Sequence, residues 1–173
     1  MLKQMGINIS GIEPSNYYFR FAKRNNLPVE QLFLEEKSGT FDVVSLFDVL
    51  EHINDTKNLI VNINRVLQRG GYLILRVPNT LYAKIKIFVH RIISYPKFPV
   101  LDPPIHIFYL SSYSINILFP EDKYSLIHSY PSISLKEKGF IGFIRYLLQR
   151  ILLLDKYLNF GIAIDQVYIL KKL

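Results

Sequence analysis

The stretch that most constrains this chain is Phe41 to Asn79, FDVVSLFDVLEHINDTKNLIVNINRVLQRGGYLILRVPN. Phe41 to Phe47 is a mostly apolar run, too short for a helix and bounded by Gly39 and Asp48. That pattern predicts a strand buried on both faces. Asn54 or Asp55 is placed to cap a helix in which Leu59, Ile60, Ile63, Val66 and Leu67 recur at helical spacing. The helix is expected to end at Gly70-Gly71, where glycine permits a left-handed turn, and Tyr72 to Val77 leaves as a second β-rich run closed by Pro78. Strand, helix and strand in this order predict a right-handed βαβ unit with parallel strands.

The flanks read more weakly. Leu2 to Met5 fits the last turn of a helix ended at Gly6, and Ile7 to Ile12 fits a short strand. Ser15 is set to cap a helix from Asn16 to Asn25 whose Tyr17, Tyr18 and Phe21 would face a sheet. Pro28 breaks it, Val29 to Leu34 reads as a third strand, and Glu35 to Gly39 as a turn. Beyond Asn79, Leu81 to Val100 carries Lys84, Lys86, Arg91 and Lys97 with no acid before it ends, and Tyr82 to Ser94 can form an amphipathic helix. Ser111 or Ser112 starts a helix running to Phe119, Tyr124 to Ser134 alternates as a strand, and Ile162 to Leu170 reads as the last strand. Gly139 to Leu154 is apolar on one face but shorter than the ~20 residues that span a bilayer, and Arg145 and Arg150 interrupt it.

With 173 residues, half of them hydrophobic, one domain with a real core is expected over residues 1–173. The absence of cysteine excludes disulfides and thiolate metal sites. MLKQMGINIS has no secretory pattern, so a cytoplasmic protein is the expectation. The net charge of +7 is concentrated after Thr80, with twelve basic and six acidic residues there against nine and eight before it. A solvated basic face explains this better than nucleic acid, and peripheral contact with an anionic membrane stays open.

Several motifs in one order resemble the class I S-adenosylmethionine-dependent methyltransferases. FDVVSLFDVLEHI and RVLQRGGYLILRVPN are similar to that family's fourth and fifth strand region. Gly11-Ile12-Glu13-Pro14-Ser15 resembles the end of its second strand, and Pro103 to Tyr109 with Ser111 and Ser112 the start of its substrate-side region, a cap over 81–120. The resemblance implies an α/β, doubly wound, mostly parallel Rossmann-like sheet whose last strand is antiparallel. It implies S-adenosylmethionine as cofactor and a small-molecule O or N nucleophile as methyl acceptor.

By the same resemblance Glu13, at the carboxyl end of a strand, would accept hydrogen bonds from the ribose hydroxyls, although a helix-start acid has the same position. Glu35 and Glu36 fall near the place of an acid at the adenine, or in a solvated turn. Phe47, Asp48 and Asn79 would line the methionine end of the cofactor. Glu51 and His52 stand at the mouth: in some members such a pair holds a metal or helps deprotonate a hydroxyl, and in many it fixes the turn. His106 is a second candidate base, and none of the four histidines is spaced as a zinc site.

One part of the family pattern has no counterpart: the first strand and the glycine-rich loop that wraps the carboxypropyl end of the cofactor. A strand, loop and helix need ~30 residues, and ten precede Gly11. The expectation is therefore the C-terminal portion of an N-terminally truncated methyltransferase, completed by a missing N-terminal fragment. A non-catalytic remnant and a basic membrane-surface module are the alternative classes.

Overall fold

The computed structural model describes residues 5–80, 83–84, 87–88, 109–132 and 165–173. Its centre is the predicted strand–helix–strand unit. Strand β3 (Phe41–Phe47) lies parallel to β4 (Leu67–Pro78), with Val43 opposite Tyr72 and Phe47 opposite Arg76. Helix α2 (Thr56–Val66) joins them, and Asp55 caps it by accepting a hydrogen bond from the Asn58 amide at 3.0 Å. Strand β6 (Asp165–Lys172) pairs antiparallel with β4 and with β5 (Tyr124–Ser132), giving the order β3-β4-β6-β5. Within this sheet β6 alone runs against the rest, as the last strand was expected to.

The core lies on one face of the sheet. Leu73, Leu75 and Val77 alternate inward along β4 and pack with Leu59 and Ile63 of α2. Ile115 of α3 (Ser112–Leu118) and Phe119, Tyr124 and Leu170 complete it. Burying each aliphatic side chain is worth about 1.5–3 kcal/mol. Two polar ties lock β5 and β6 onto the end of α2: the Tyr124 hydroxyl donates to Asn64 Oδ1 at 2.8 Å, and Lys172 Nζ donates to the Asn64 and Leu67 carbonyls, each at 2.7 Å. A cation placed on those carbonyls also opposes the negative end of the helix dipole.

The helix ends earlier than expected, at Val66, because Leu67 already pairs with Phe41. The glycine pair serves a bulge instead, where Gln68 to Gly71 loop out against Asp42. Gly70 takes φ +77°, and a Cβ on Gly71 would stand 2.9 Å from the Asp42 and Gln68 carbonyl oxygens. Gly71→Ala is expected to cost about 1–3 kcal/mol, read as a lowered denaturation midpoint. An unchanged midpoint would show that the bulge relaxes freely.

The N-terminal part departs furthest from expectation. Strand β1 is only Gly11–Ile12 and β2 only Val29–Glu30, short of the expected Leu34; they pair in parallel as a separate sheet, and the expected turn after them is a 3-10 turn over Leu34–Glu36. Two strands alone sustain little ladder. Helix α1 (Asn16–Arg24) therefore has no broad sheet to cover: Ala22 is buried, while Tyr17, Tyr18 and Phe21 are exposed. Arg65 of α2 holds this part in place by donating to the Leu34, Glu35 and Lys37 carbonyls.

β3 is also less buried than its sequence demands. Among the described residues no strand pairs with its outer edge, Val43 and Phe47 are half exposed, and only Leu46 is buried. The expected basic helix Tyr82–Ser94 and the apolar segment 139–154 lie outside the described residues, apart from Ala83, Lys84, Ile87 and Phe88, which are helical. Among the described residues no helix is long and apolar enough to cross a membrane.

Candidate functional site

Parallel strands present their carboxyl ends, and the loops leaving them, at one edge. Asp48 leaves β3 and Asn79 leaves β4 at that edge, where Asn79 also forms a parallel bridge to Leu110. Asp48 has φ +56°, a strained conformation for an aspartate, and its amide donates to the Arg76 carbonyl at 3.0 Å. Its carboxylate takes both Arg76 Nε, at 2.9 Å, and Arg76 Nη2, so the pair is bidentate. The same guanidinium lies 5.4 Å over the Phe47 ring. Asp48 raises the pKa of Arg76 further above its already high ordinary value, chiefly through this hydrogen bond.

Immediately after, Leu50–His52 forms a 3-10 turn that drives Glu51 inward. Glu51 is fully buried, and neither carboxylate oxygen has a hydrogen-bond partner from another residue. His52 Nε2 stands 4.0 Å from Glu51 Oε1, with the imidazole partly open to solvent. Burial pushes the Glu51 carboxyl above its ordinary range; its own backbone amide and the His52 imidazole oppose this, and the nearby Asp48 and Asp165 add to it. Asp165 begins β6 opposite Pro78, which brings the C-terminal strand to this corner.

Of the other candidates, Glu13 follows β1 and is partly buried, its Oε1 accepting from the Ser15 amide at 2.8 Å. That bond takes the place of the expected Ser15 cap, since the Ser15 side chain makes none. Glu36 accepts from the Phe33 amide at 2.7 Å and so closes its own 3-10 turn, and Glu35 accepts from Asn58 Nδ2 at 2.7 Å and ties that turn to α2. Phe47, Asp48, Glu51, His52 and Asn79 come together, whereas Glu13 ends a strand of the other sheet. His106 lies outside the described residues. Among the described residues no three His, Cys, Asp or Glu are arranged to hold a metal ion. Sequence reasoning missed Arg76 and Asp165; the alternation of β4 placed Arg76 on a strand, but only pairing with β6 shows the company it keeps.

A sheet of parallel strands with one reversed strand, and with its loops gathered at the carboxyl edge, defines a Rossmann-like α/β domain. Residues 1–129 match the family model described as a methyltransferase domain, and the chain belongs to that family. No curated protein matches in sequence. Among solved structures the chain is similar to a SAM-dependent methyltransferase from Archaeoglobus fulgidus, with a TM-score of 0.58 at 16% identity over 99% of this chain and 79% of that one. It is also similar to magnesium protoporphyrin IX methyltransferase from Synechocystis PCC 6803 with bound SAH (TM-score 0.61, 14% identity, 98% of this chain and 66% of that one). A third is a SAM-dependent methyltransferase from Thermotoga maritima (TM-score 0.58, 15% identity, 98% and 75%). At these identities the likeness is one of fold.

Proposed function

We propose that this chain carries the acceptor-side part of an S-adenosylmethionine-dependent methyltransferase acting on a small molecule, in the cytoplasm. The observation that carries the reading is the methyltransferase-domain match over residues 1–129. The residues fit such a cofactor: Glu13 is a partly buried carboxylate just past a strand end, where ribose hydroxyls can donate to it, and Asp48 and Asn79 share the carboxyl edge of β3 and β4. Glu35 and Glu36 would reach an adenine only by giving up their present hydrogen bonds.

When bound, the cofactor supplies an already activated sulfonium methyl group. The protein has mainly to align a nucleophile and exclude water, which is why no nucleophilic triad is required. Asp48 and Arg76 tie the loop after β3 to β4; in this reading Glu51 and His52 take a proton from the acceptor, with His106 as the alternative base. We further propose that a strand and glycine loop supplied by a missing N-terminal segment complete the cofactor site, since β3 is unpaired on its outer edge among the described residues.

Isothermal titration with S-adenosylmethionine, together with radiolabelled methyl transfer, tests the reading in the chain supplied with such a segment from a related enzyme. There Glu13→Ala is expected to weaken cofactor binding roughly tenfold or more, the loss of a charged hydrogen-bonded pair of contacts, while Glu30→Ala changes it little. Equal effects from the two substitutions remove Glu13 from the site.

A further inference from the structure

Glu51 is the polar group of the described structure that is hardest to explain by folding alone. A buried donor or acceptor left unpaired costs about 1–3 kcal/mol, and more when charged. Here both oxygens of one carboxylate are buried without a partner from another residue. His52 acts on it as an opposite charge, from an imidazole that stands 4.0 Å away and makes no hydrogen bond to it. Arg76 is the nearby guanidinium, and it is committed to Asp48 in a bidentate pair. Asp48 on the preceding loop, and more weakly Asp165 at the head of β6, act on Glu51 as further negative charges.

The corner also lies where ligands enter an open α/β sheet, at the carboxyl ends of β3 and β4, and the imidazole of His52 beside Glu51 is partly open to solvent. A ligand that satisfies the carboxyl must donate hydrogen bonds and should bring positive charge. A carboxylate or phosphate would be repelled, and a neutral hydroxyl donates a single bond with no charge. An ammonium group brings up to three donors and one positive charge.

We propose that this corner seats a protonated amine, so that the methyl acceptor of this chain is an amine held by the Glu51 carboxylate. The proposal rests on the methyltransferase reading for its chemistry, although the seat itself does not. In the transfer the ammonium gives one N–H proton to Glu51. The freed nitrogen lone pair forms the N–C bond as the methyl C–S bond breaks, and that bond's electron pair stays on sulfur as a neutral thioether. The product is a methylated ammonium beside a protonated Glu51, so charge and protons balance.

Calorimetry of the full chain with benzylamine, benzyl alcohol and benzoate at low salt tests the seat, because the three probes share a ring and differ in charge and donors. Benzylamine is expected to bind roughly tenfold or more tighter than benzyl alcohol, a gap of about 1.4 kcal/mol, with benzoate weakest. Binding of the ammonium should drive a proton off Glu51 into the solvent, visible as a heat that depends on the buffer. Glu51→Gln should erase the preference. Should that variant fold poorly by circular dichroism, the wild-type chain still decides: the preference should grow as pH rises and Glu51 ionises. Equal binding of amine and alcohol, or a preference that survives in Glu51→Gln, overturns the proposal. Titrating the cofactor into the same samples with the N-terminal segment supplied reads the enzyme assignment separately. Amine preference without cofactor binding keeps the seat and discards the methyltransferase reading. Cofactor binding without amine preference does the reverse.

Discussion

Purified alone, the 173-residue chain is expected to transfer no measurable methyl group and to bind S-adenosylmethionine more weakly than micromolar. The reason lies in the sheet. β1 and β2 form their own two-stranded pair, and β3, whose sequence suits a strand covered on both sides, has an unpaired outer edge among the described residues. Glu13 and Asp48 therefore belong to separate sheets, linked through the Arg65 ties to the Leu34–Lys37 segment. Transfer requires donor and acceptor atoms held on line, and a misplacement of about 1 Å can cost roughly a hundredfold in rate. A strand slot is ~4.8 Å wide, so a direct closure of β1 on β3 would displace the two halves of the site by far more than that. If the edge stays open, its free backbone groups invite pairing with another chain. Adding an N-terminal strand-and-loop segment from a related methyltransferase should restore binding and activity together. Micromolar cofactor affinity in the unsupplemented chain would overturn this prediction, and rescue only with the segment would support it.

How far the sequence foretells this structure depends on where local pattern and tertiary surroundings agree. Phe41–Phe47, Thr56–Val66 and Tyr72–Val77 are legible because apolar spacing, the Asp55 cap and strand length all point the same way. The same holds for Ser111, whose hydroxyl caps α3 by accepting from the Ser114 amide. Gly70-Gly71 misleads because glycine serves a helix end and a strand bulge equally well, and only the pairing of Leu67 with Phe41 decides between them. Tyr17 and Phe21 mislead for a different reason. Their spacing marks an apolar helix face correctly, but the sheet that face expects is just two short strands. At the site, the sequence supplies Asp48, Glu51 and Asn79 in order along the chain. It is silent on Asp165, which reaches them through the antiparallel pairing of β6 with Pro78.

Glu51→Gln is expected to make the chain more stable at pH 7 and to lose that advantage in acid. Burial raises the folded-state pKa of Glu51 above the 4.5 of an exposed glutamate. Below about pH 4.5 the carboxyl is protonated in both folded and unfolded chains and contributes no pH dependence. As pH rises above that value the unfolded chain releases its proton first, while the folded chain keeps it or bears a buried charge. The folded state then binds more protons than the unfolded one, so stability falls with rising pH until the folded carboxyl has ionised as well, and it is level beyond. Glutamine does not titrate and avoids this loss, at a site where an unpaired buried group costs about 1–3 kcal/mol. For a chain of this size each kcal/mol moves the melting temperature by about 2–4 °C. Thermal denaturation of both proteins at pH 7 and near pH 4 should show Glu51→Gln ahead at pH 7 and the two converging in acid. A wild-type chain that is the more stable at pH 7 would mean that the Glu51 carboxylate is satisfied in the folded state. A gain confined to neutral pH would instead show a group kept at the expense of stability, as expected of a side chain whose partner is a ligand.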